Sequence, residues 1–161
     1  MTTATATATA TAPATTTAPA VNARIIGLAH HAPRALLERV LDRHGVTFHQ
    51  NVTLRLVAIA AEPVGRDELV GEVSGALKTD DSFVHGVIEE LLTAKLLEAD
   101  PADPSRLRPT GTGRDLYERV AAESGAIAAR LYAGIPAADL AVAGRVLTLI
   151  TDRANTELTS A

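Results

Sequence analysis

The sequence contains no cysteine and only four aromatic residues, Phe48, Phe83, Tyr117 and Tyr132, in a chain of 161 residues. The absence of cysteine excludes disulfides, thiolate metal sites and thiol-based redox sensing within this chain. It is also typical of a cytoplasmic protein. With so few aromatic residues, the core must be built from Leu, Val, Ile and Ala, and base stacking on an aromatic platform is not expected.

Long apolar runs are also missing, so we expect no membrane-spanning segment and no membrane partner. The N-terminus is rich in Thr, Ala and Pro and has neither the basic start nor the apolar run of a signal peptide. Such a composition buries too little apolar surface to offset the entropy of ordering. We therefore expect residues 1–21 to be a disordered tail and residues 22–157 to form one domain.

Apolar residues recur at steps of three and four along most of that domain, which predicts helices. A first helix over about 22–44 carries Pro33, which is expected to kink or restart it. Gly45 is expected to end this helix, and Thr47 to cap the next one.

Two shorter helices follow, separated by a turn at Lys78-Thr79. Asp67 is a candidate cap for the first of them, and Asp80 or Asp81 for the second. Leu96 and Leu97 then predict a short strand. A turn cluster with two prolines leads to a return strand containing Arg106 and Arg108.

A long helical pattern then occupies residues 112–157, with Thr110 or Thr112 at its start and a break at Gly134 and Pro136. The order helix, turn, helix, hairpin, helix predicts a mainly α fold: a winged helix-turn-helix with a two-stranded β wing and long terminal dimerisation helices. The reading head would be about 47–110, and the dimerisation helices about 22–44 and 112–157. The end helices carry more apolar surface than a small head can cover, so we expect a homodimer, with packing on the chain's own core as the alternative.

The segment at residues 77–98, LKTDDSFVHGVIEELLTAKLLE, resembles the recognition-helix region of the MarR family of bacterial winged-helix regulators. Residues 43–47, RHGVT, resemble that family's link between its first two helices. Residues 100–114 resemble its wing and the start of the next helix. The resemblance covers roughly residue 23 to the C-terminus, and it rests on the order and spacing of these motifs together.

The resemblance implies a homodimer whose two heads read a pseudo-palindromic operator in double-stranded DNA. It also implies a repressor that releases DNA when a small molecule binds between the head and the dimer region. The wing is shorter than in the family pattern, and a family arginine falls opposite Pro104. Arg106 and Arg108 are therefore expected to supply the positive charge of the wing.

The predicted DNA contacts lie on the recognition helix and the wing. Ser82 and His85 can hydrogen-bond base edges, and Asp81 or Glu89 can accept from cytosine N4. Phe83 can touch a thymine methyl group. Three of these residues have simpler alternative roles: Phe83 in the core, Asp81 as a helix cap and His85 as a solvated residue. The predicted DNA-binding residues are Ser82, Phe83, His85, Gly86, Arg106 and Arg108.

The charge of this region argues against tight DNA binding. Between Glu62 and Asp103 there are eleven acidic residues and three basic ones, a sum of 3 − 11 = −8. Affinity for DNA depends largely on Lys and Arg neutralising phosphates. An alternative function is therefore a winged-helix protein-interaction module that has lost strong DNA binding.

A zinc-responsive regulator is a further alternative, because His30, His31, His44 and His49 lie in and after the first helix. Their spacing does not specify a site, so capping and surface roles are preferred and no metal or other cofactor is expected. A small organic effector is the default ligand. No phosphate loop or nucleophile motif occurs, and we expect no enzymatic activity.

Overall fold

The computed structural model describes residues 19–160. The predicted tail at 1–21 therefore lies almost entirely outside the described residues, and residues 19–21 are exposed without regular secondary structure. The elements run in the order α1 (Ala23–His44), α2 (Phe48–Ile59), β1 (Val64–Gly65), α3 (Arg66–Leu77), α4 (Asp81–Thr93), β2 (Leu97–Ala99), β3 (Arg106–Pro109), α5 (Gly111–Tyr132) and α6 (Ala137–Ser160). This is the predicted mainly α fold with a small β wing.

Helix α1 is one continuous helix through Pro33. Asn22 caps its start, its side-chain oxygen accepting from the backbone N–H of Ile25 at 3.1 Å. Gly45 ends it in the left-handed conformation, with φ of 68°, as predicted. Only Val40 and Leu41, near its end, are buried, so most of α1 projects away from the core.

Helix α2 is the central helix of the head. Thr47 and Gln50 form a reciprocal capping box at its start. Thr53, Leu54, Val57 and Ala58 are buried, and the Thr53 hydroxyl donates to the carbonyl of His49 at 2.9 Å. This helix contacts α3, α4, α5 and β3, which explains why its apolar residues lie nearly all round.

The predicted cap at Asp67 is wrong. Helix α3 begins at Arg66, and Gly65 occupies the capping position without a side-chain hydrogen bond. The physical reason is that residues 64–65 form strand β1, so the chain enters α3 directly from the sheet. The backbone N–H of Arg66 donates to the carbonyl of Ser105 at 3.0 Å, which ties the first turn of α3 to the wing. Asp80 stands at the cap of α4, again without a side-chain hydrogen bond.

The sheet has three antiparallel strands in the order β1-β3-β2. The hairpin of β2 and β3 was predicted, but β1 was not. Val64 pairs with Leu107, and Leu107 also pairs with Ala99 on the other side. Leu107 is fully buried, so the centre of the wing is part of the core.

The wing and α5 meet at a close backbone contact. Thr110 caps α5, accepting from the N–H of Gly113 at 3.0 Å, while its hydroxyl donates to the carbonyl of Lys95 at 2.7 Å. A Cβ on Gly113 would lie 1.9 Å from the carbonyl oxygen of Leu96. Only glycine permits this approach.

Helix α6 has no buried residue, although it carries many large apolar side chains. Outside residue 21, the exposed large apolar residues of the described chain lie in α1, α5, α6 and the α5–α6 turn, with two exceptions in the head, Ile59 and Phe83. Between residues 19 and 160, no single helix is long and apolar enough to cross a membrane. Helices α5 and α6 reach that length and composition only jointly, as a pair bent by 109°.

Candidate nucleic-acid interface

Helix α4 has one buried face and one exposed face, as its sequence spacing predicted. Val84, Val87, Ile88 and Leu91 are buried. By helical geometry, the residues most nearly opposite them are Ser82, Gly86, Glu89 and Thr93, all of them exposed. We call these four residues the exposed stripe of α4. A stripe of small and polar residues on a helix supported by its own core is suited to entering a groove.

Of the predicted base contacts, Ser82 and Gly86 lie in this stripe and His85 lies beside it, all exposed. A Cβ on Gly86 would have no neighbour within 4 Å, so the glycine leaves an open notch on the helix. These three residues are accessible for contacts with base edges.

Phe83 is on the side of α4 that faces α2, and 46% of its surface is exposed. Its ring stands edge-on to His49, with centroids 4.9 Å apart. The simpler alternative of a fully buried Phe83 is therefore wrong, because α2 covers only one side of the ring. Phe83 and His49 form walls of a shallow groove of about 310 Å³ between the start of α2 and α4.

Both wing arginines are held by hydrogen bonds within the chain. The guanidinium of Arg106 donates to the carbonyl of Pro63, which leaves Arg106 half-buried along β1. Arg108 forms an ion pair with Glu98 on the neighbouring strand, with Nε to Oε1 at 2.9 Å and Nη2 to Oε1 at 2.8 Å. A phosphate that binds either arginine must compete with these partners.

The acidic residues of the head are spread over several surfaces, and the exposed stripe of α4 contains one of them, Glu89. Glu89 accepts from Arg66 at 2.5 Å. Glu90 is turned toward α2 and accepts from the side-chain amide of Gln50 at 2.8 Å. The sum of −8 from the sequence therefore overstates the negative charge at the centre of this face.

Asp103 lies in the loop of the wing, where its carboxylate accepts from both the hydroxyl and the backbone N–H of Ser105. These hydrogen bonds, with a smaller contribution from the charge of Arg106, hold the pKa of the Asp103 carboxyl below its ordinary value of 3.8. Asp103 thus shapes the turn and stays charged.

The four histidines considered for zinc lie in different surroundings. The rings of His30 and His31 are 5.2 Å apart on exposed α1, and His49 contacts Phe83. His44 hydrogen-bonds Glu123 of α5, with Nε2 to Oε1 at 2.7 Å. Within residues 19–160, no group of three or more His, Asp or Glu side chains is arranged to hold a metal ion.

Two features of the site were not found from the sequence. One is the ion pair between Arg66 and Glu89, which joins residues 23 positions apart. The other is the link from Arg43 and His44 of α1 to Glu123 of α5. Nothing in the local spacing of these residues indicates that they meet, because the pairing depends on how the helices cross.

Comparison with known proteins gives matches to solved structures only; no family description and no curated protein sequence matches the chain. A MarR-family transcriptional regulator from Rhodococcus sp. RHA1 is 26% identical to this chain, with a TM-score of 0.58. The match covers 78% of this chain and 86% of that protein.

Two other matches show the same fold at lower identity. CouR from Rhodococcus jostii RHA1, solved bound to p-coumaroyl-CoA, is 22% identical with a TM-score of 0.61, covering 78% of this chain and 86% of CouR. A mutant of MepR from S. aureus, solved bound to an oligodeoxyribonucleotide, is 17% identical with a TM-score of 0.51, covering 81% of this chain and 95% of MepR.

The fold and the exposed stripe of α4 define a winged helix-turn-helix protein with long terminal helices. The Rhodococcus regulator, a MarR-family protein, shares this fold. In its fold the chain is similar to MarR-family regulators, the resemblance that its recognition-helix region, its α1–α2 link and its wing indicated.

Proposed function

We propose that this protein is a DNA-binding transcriptional regulator that acts as a homodimer, and that it is a ligand-responsive repressor. The observation that carries the proposal is the exposed stripe of α4, supported by a complete core and flanked by a wing with Arg106 and Arg108. In this arrangement α4 enters a major groove and the wing follows the backbone toward a flanking minor groove. The MepR relative solved with an oligodeoxyribonucleotide supports DNA as the partner.

The homodimer follows from the apolar surface that the chain leaves uncovered. Helix α6 exposes Leu147, Leu149 and Ile150 by 44%, 49% and 39%, and buries nothing. Exposed apolar surface of this extent is typical of an interface. A second copy, joined through α1, α5 and α6, covers this surface and sets two reading heads side by side, as a pseudo-palindromic operator requires.

A small organic effector is supported by two crevices between α1 or α2 and α5, of about 150 and 430 Å³. Ser124 lines both, and its hydroxyl is buried without a hydrogen-bond partner among residues 19–160. A buried hydroxyl without a partner is unfavourable, and a polar ligand group would satisfy it. The larger crevice lies between the head helix α2 and the terminal helix α5, so a ligand there is placed to change the angle between the head and the terminal helices.

The acidic sequence around α3 and α4 favours one alternative, a winged-helix module that binds a protein through its negative surface. The two functions differ in their dependence on salt. Binding to DNA releases counterions and weakens steeply as salt rises, whereas an acidic module has no affinity for DNA at any salt concentration.

The test is a titration of the full chain against a library of duplexes with a long randomised segment, at several salt concentrations, followed by sequencing of the bound fraction. We expect a two-fold symmetric motif and a steep loss of affinity with salt. Substituting Arg106→Ala and Arg108→Ala together should weaken binding about tenfold or more.

The matched control replaces two exposed arginines of α5, Arg119→Ala and Arg130→Ala, which removes the same charge outside the head. This control should keep its affinity. Circular dichroism confirms that each variant is folded. Arg108→Ala alone is also measured, because Arg106 supports β1 through its hydrogen bond to Pro63 and its loss could change the structure as well as the charge. The absence of any enriched sequence at low salt would overturn the proposal.

A further inference from the structure

The ion pair between Arg66 and Glu89 lies where a recognition helix reads bases. Arg66 is the first residue of α3, and Glu89 belongs to the exposed stripe of α4. Nη1 of Arg66 donates to Oε1 of Glu89 at 2.5 Å, while the Glu89 side chain stays 63% exposed and that of Arg66 32%. The other carboxylate oxygen, Oε2, accepts no hydrogen bond from residues 19–160. The pair therefore presents one free, oriented acceptor to the solvent.

We propose that this pair is a specificity element, in which Glu89 accepts a hydrogen bond from the N4 amino group of one cytosine in each half-site and Arg66 is the positioning residue that holds the carboxylate in place. The inference rests on the proposed DNA-binding function. It adds the base that the chain selects at one position and assigns a role to Arg66.

The selection follows from the chemistry of a carboxylate. A carboxylate only accepts hydrogen bonds, and in the major groove cytosine presents the N4 donor, whereas guanine and thymine present acceptors at the corresponding place. Adenine presents N6 as a donor but N7 as an acceptor beside it, and the N7 lone pair opposes a carboxylate that approaches N6. Glu89 thus favours cytosine.

Arg66 offsets the repulsion between the Glu89 carboxylate and the DNA phosphates. A free carboxylate near the DNA backbone is repelled by the phosphates, and the repulsion is strong at low salt. The neighbouring guanidinium makes the pair neutral, so the negative charge of Glu89 no longer opposes docking. The hydrogen bond to Oε1 also fixes which way Oε2 points, and this orientation gives the base contact its selectivity.

Glu90 provides the matched control because it is the adjacent residue on the same helix and carries the same charge. Its Oε2 is occupied by the side-chain amide of Gln50, and it is turned toward α2 instead of lying in the exposed stripe. Glu89→Gln and Glu90→Gln each remove one negative charge from α4. Any gain in DNA affinity from the lost charge should therefore be the same in both variants. A difference in their base preference can come only from a contact between Glu89 and a base.

The experiment repeats the selection from the randomised duplex library with the full chain and four variants: Glu89→Gln, Glu90→Gln, Arg66→Gln and Arg66→Lys. For the unsubstituted chain we expect about tenfold preference for cytosine at one position of each half-site. Glu89→Gln should shift that position toward adenine, because an amide donates to N7 and accepts from N6. Glu90→Gln should leave the sequence profile unchanged.

Arg66→Gln should blur the same position and weaken binding, and Arg66→Lys should restore part of both, because the lysine keeps the charge without the fixed geometry of the guanidinium. A merely structural ion pair would change stability without changing the base preference. An unchanged profile for Glu89→Gln overturns the proposal, and an unchanged profile for Arg66→Gln overturns the role of Arg66. If the unsubstituted chain enriches no sequence, it is the proposed function that fails.

Discussion

The reading head and the last helix contain the same kinds of apolar residue but place them in opposite environments. In the head, Ile88 and Leu107 are fully buried, whereas Leu149 in α6 is 49% exposed. The head therefore contains its own core, and α6 does not contribute to that core at all. The comparison teaches that apolar composition alone does not locate the core: the apolar residues of α6 are not buried by any other part of residues 19–160.

The largest effect should come from placing charge on α6. Burying a Leu or Ile side chain is worth about 1.5–3 kcal/mol, and in a symmetric dimer each substitution counts twice. Leu147→Asp with Ile150→Asp should therefore raise the dissociation constant of the dimer on the order of ten-thousandfold or more. Light scattering or sedimentation measures this constant, and thermal unfolding should show that the head remains folded.

The control for that experiment adds the same two charges to the polar side of α6, as Ala141→Asp with Thr148→Asp. These positions should tolerate the change. A protein that is monomeric before any substitution, or a control that dissociates equally, would contradict the assignment of the apolar side of α6 to the interface.

The next effect concerns the junction between the head and α5. Gly113→Ala puts a methyl group against the carbonyl of Leu96, so the backbone must move to make room. Overpacking of this kind lowers the free energy of unfolding by about 1–3 kcal/mol or more. Gly125→Ala on the same helix meets nothing within 4 Å and should stabilise by about 0.5–1 kcal/mol, because alanine is the better helix former. Urea unfolding distinguishes the two, and equal stabilities would show that the close contact does not exist in solution.

The smallest effect should be the pH dependence of the link between α1 and α5. Hydrogen bonds from Arg43 and His44 hold the pKa of the Glu123 carboxyl below its ordinary value of 4.5. A lowered carboxyl pKa stabilises the folded state above the ordinary pKa, and this stabilisation is lost as the pH falls through 4.5 toward the lowered value. Glu123→Gln should therefore be less stable than the unsubstituted chain at neutral pH.

The difference should disappear in acid, and urea unfolding over a pH series measures it. Glu118→Gln on the same helix is the control, since Glu118 is exposed and forms no ion pair within residues 19–160. A constant difference between Glu123→Gln and the unsubstituted chain at every pH would mean that the charge of Glu123 is not what stabilises the link.

Much of the fold was predictable because it depends on local chemistry. The spacing of Val84, Val87, Ile88 and Leu91 gave the buried face of α4, since neighbours three and four residues apart share a helix face. Thr110 was a correct candidate for the cap of α5 for a similar reason: its side chain acts within one turn of its own position.

The remaining features depend on contacts between distant residues. Strand β1 has only two residues, too few to show a periodic pattern, and it exists because β3 offers it a partner. The predicted DNA-binding role of Arg106 remains a prediction, but the sequence did not show that Pro63 would hold its guanidinium. The pairing of Glu89 with Arg66 was not predicted because it joins residues of two different helices.

The order of the three strands couples the wing rigidly to the head, so the wing cannot move independently of α3. Strand β3 lies between β2 and β1, and β1 runs into α3 with no intervening loop. A force that lifts the hairpin is therefore passed to the first turn of α3 through the backbone bond from Arg66 to Ser105. No loop separates β1 from α3 to absorb the motion, so tilting the wing also moves Arg66, the residue that holds Glu89.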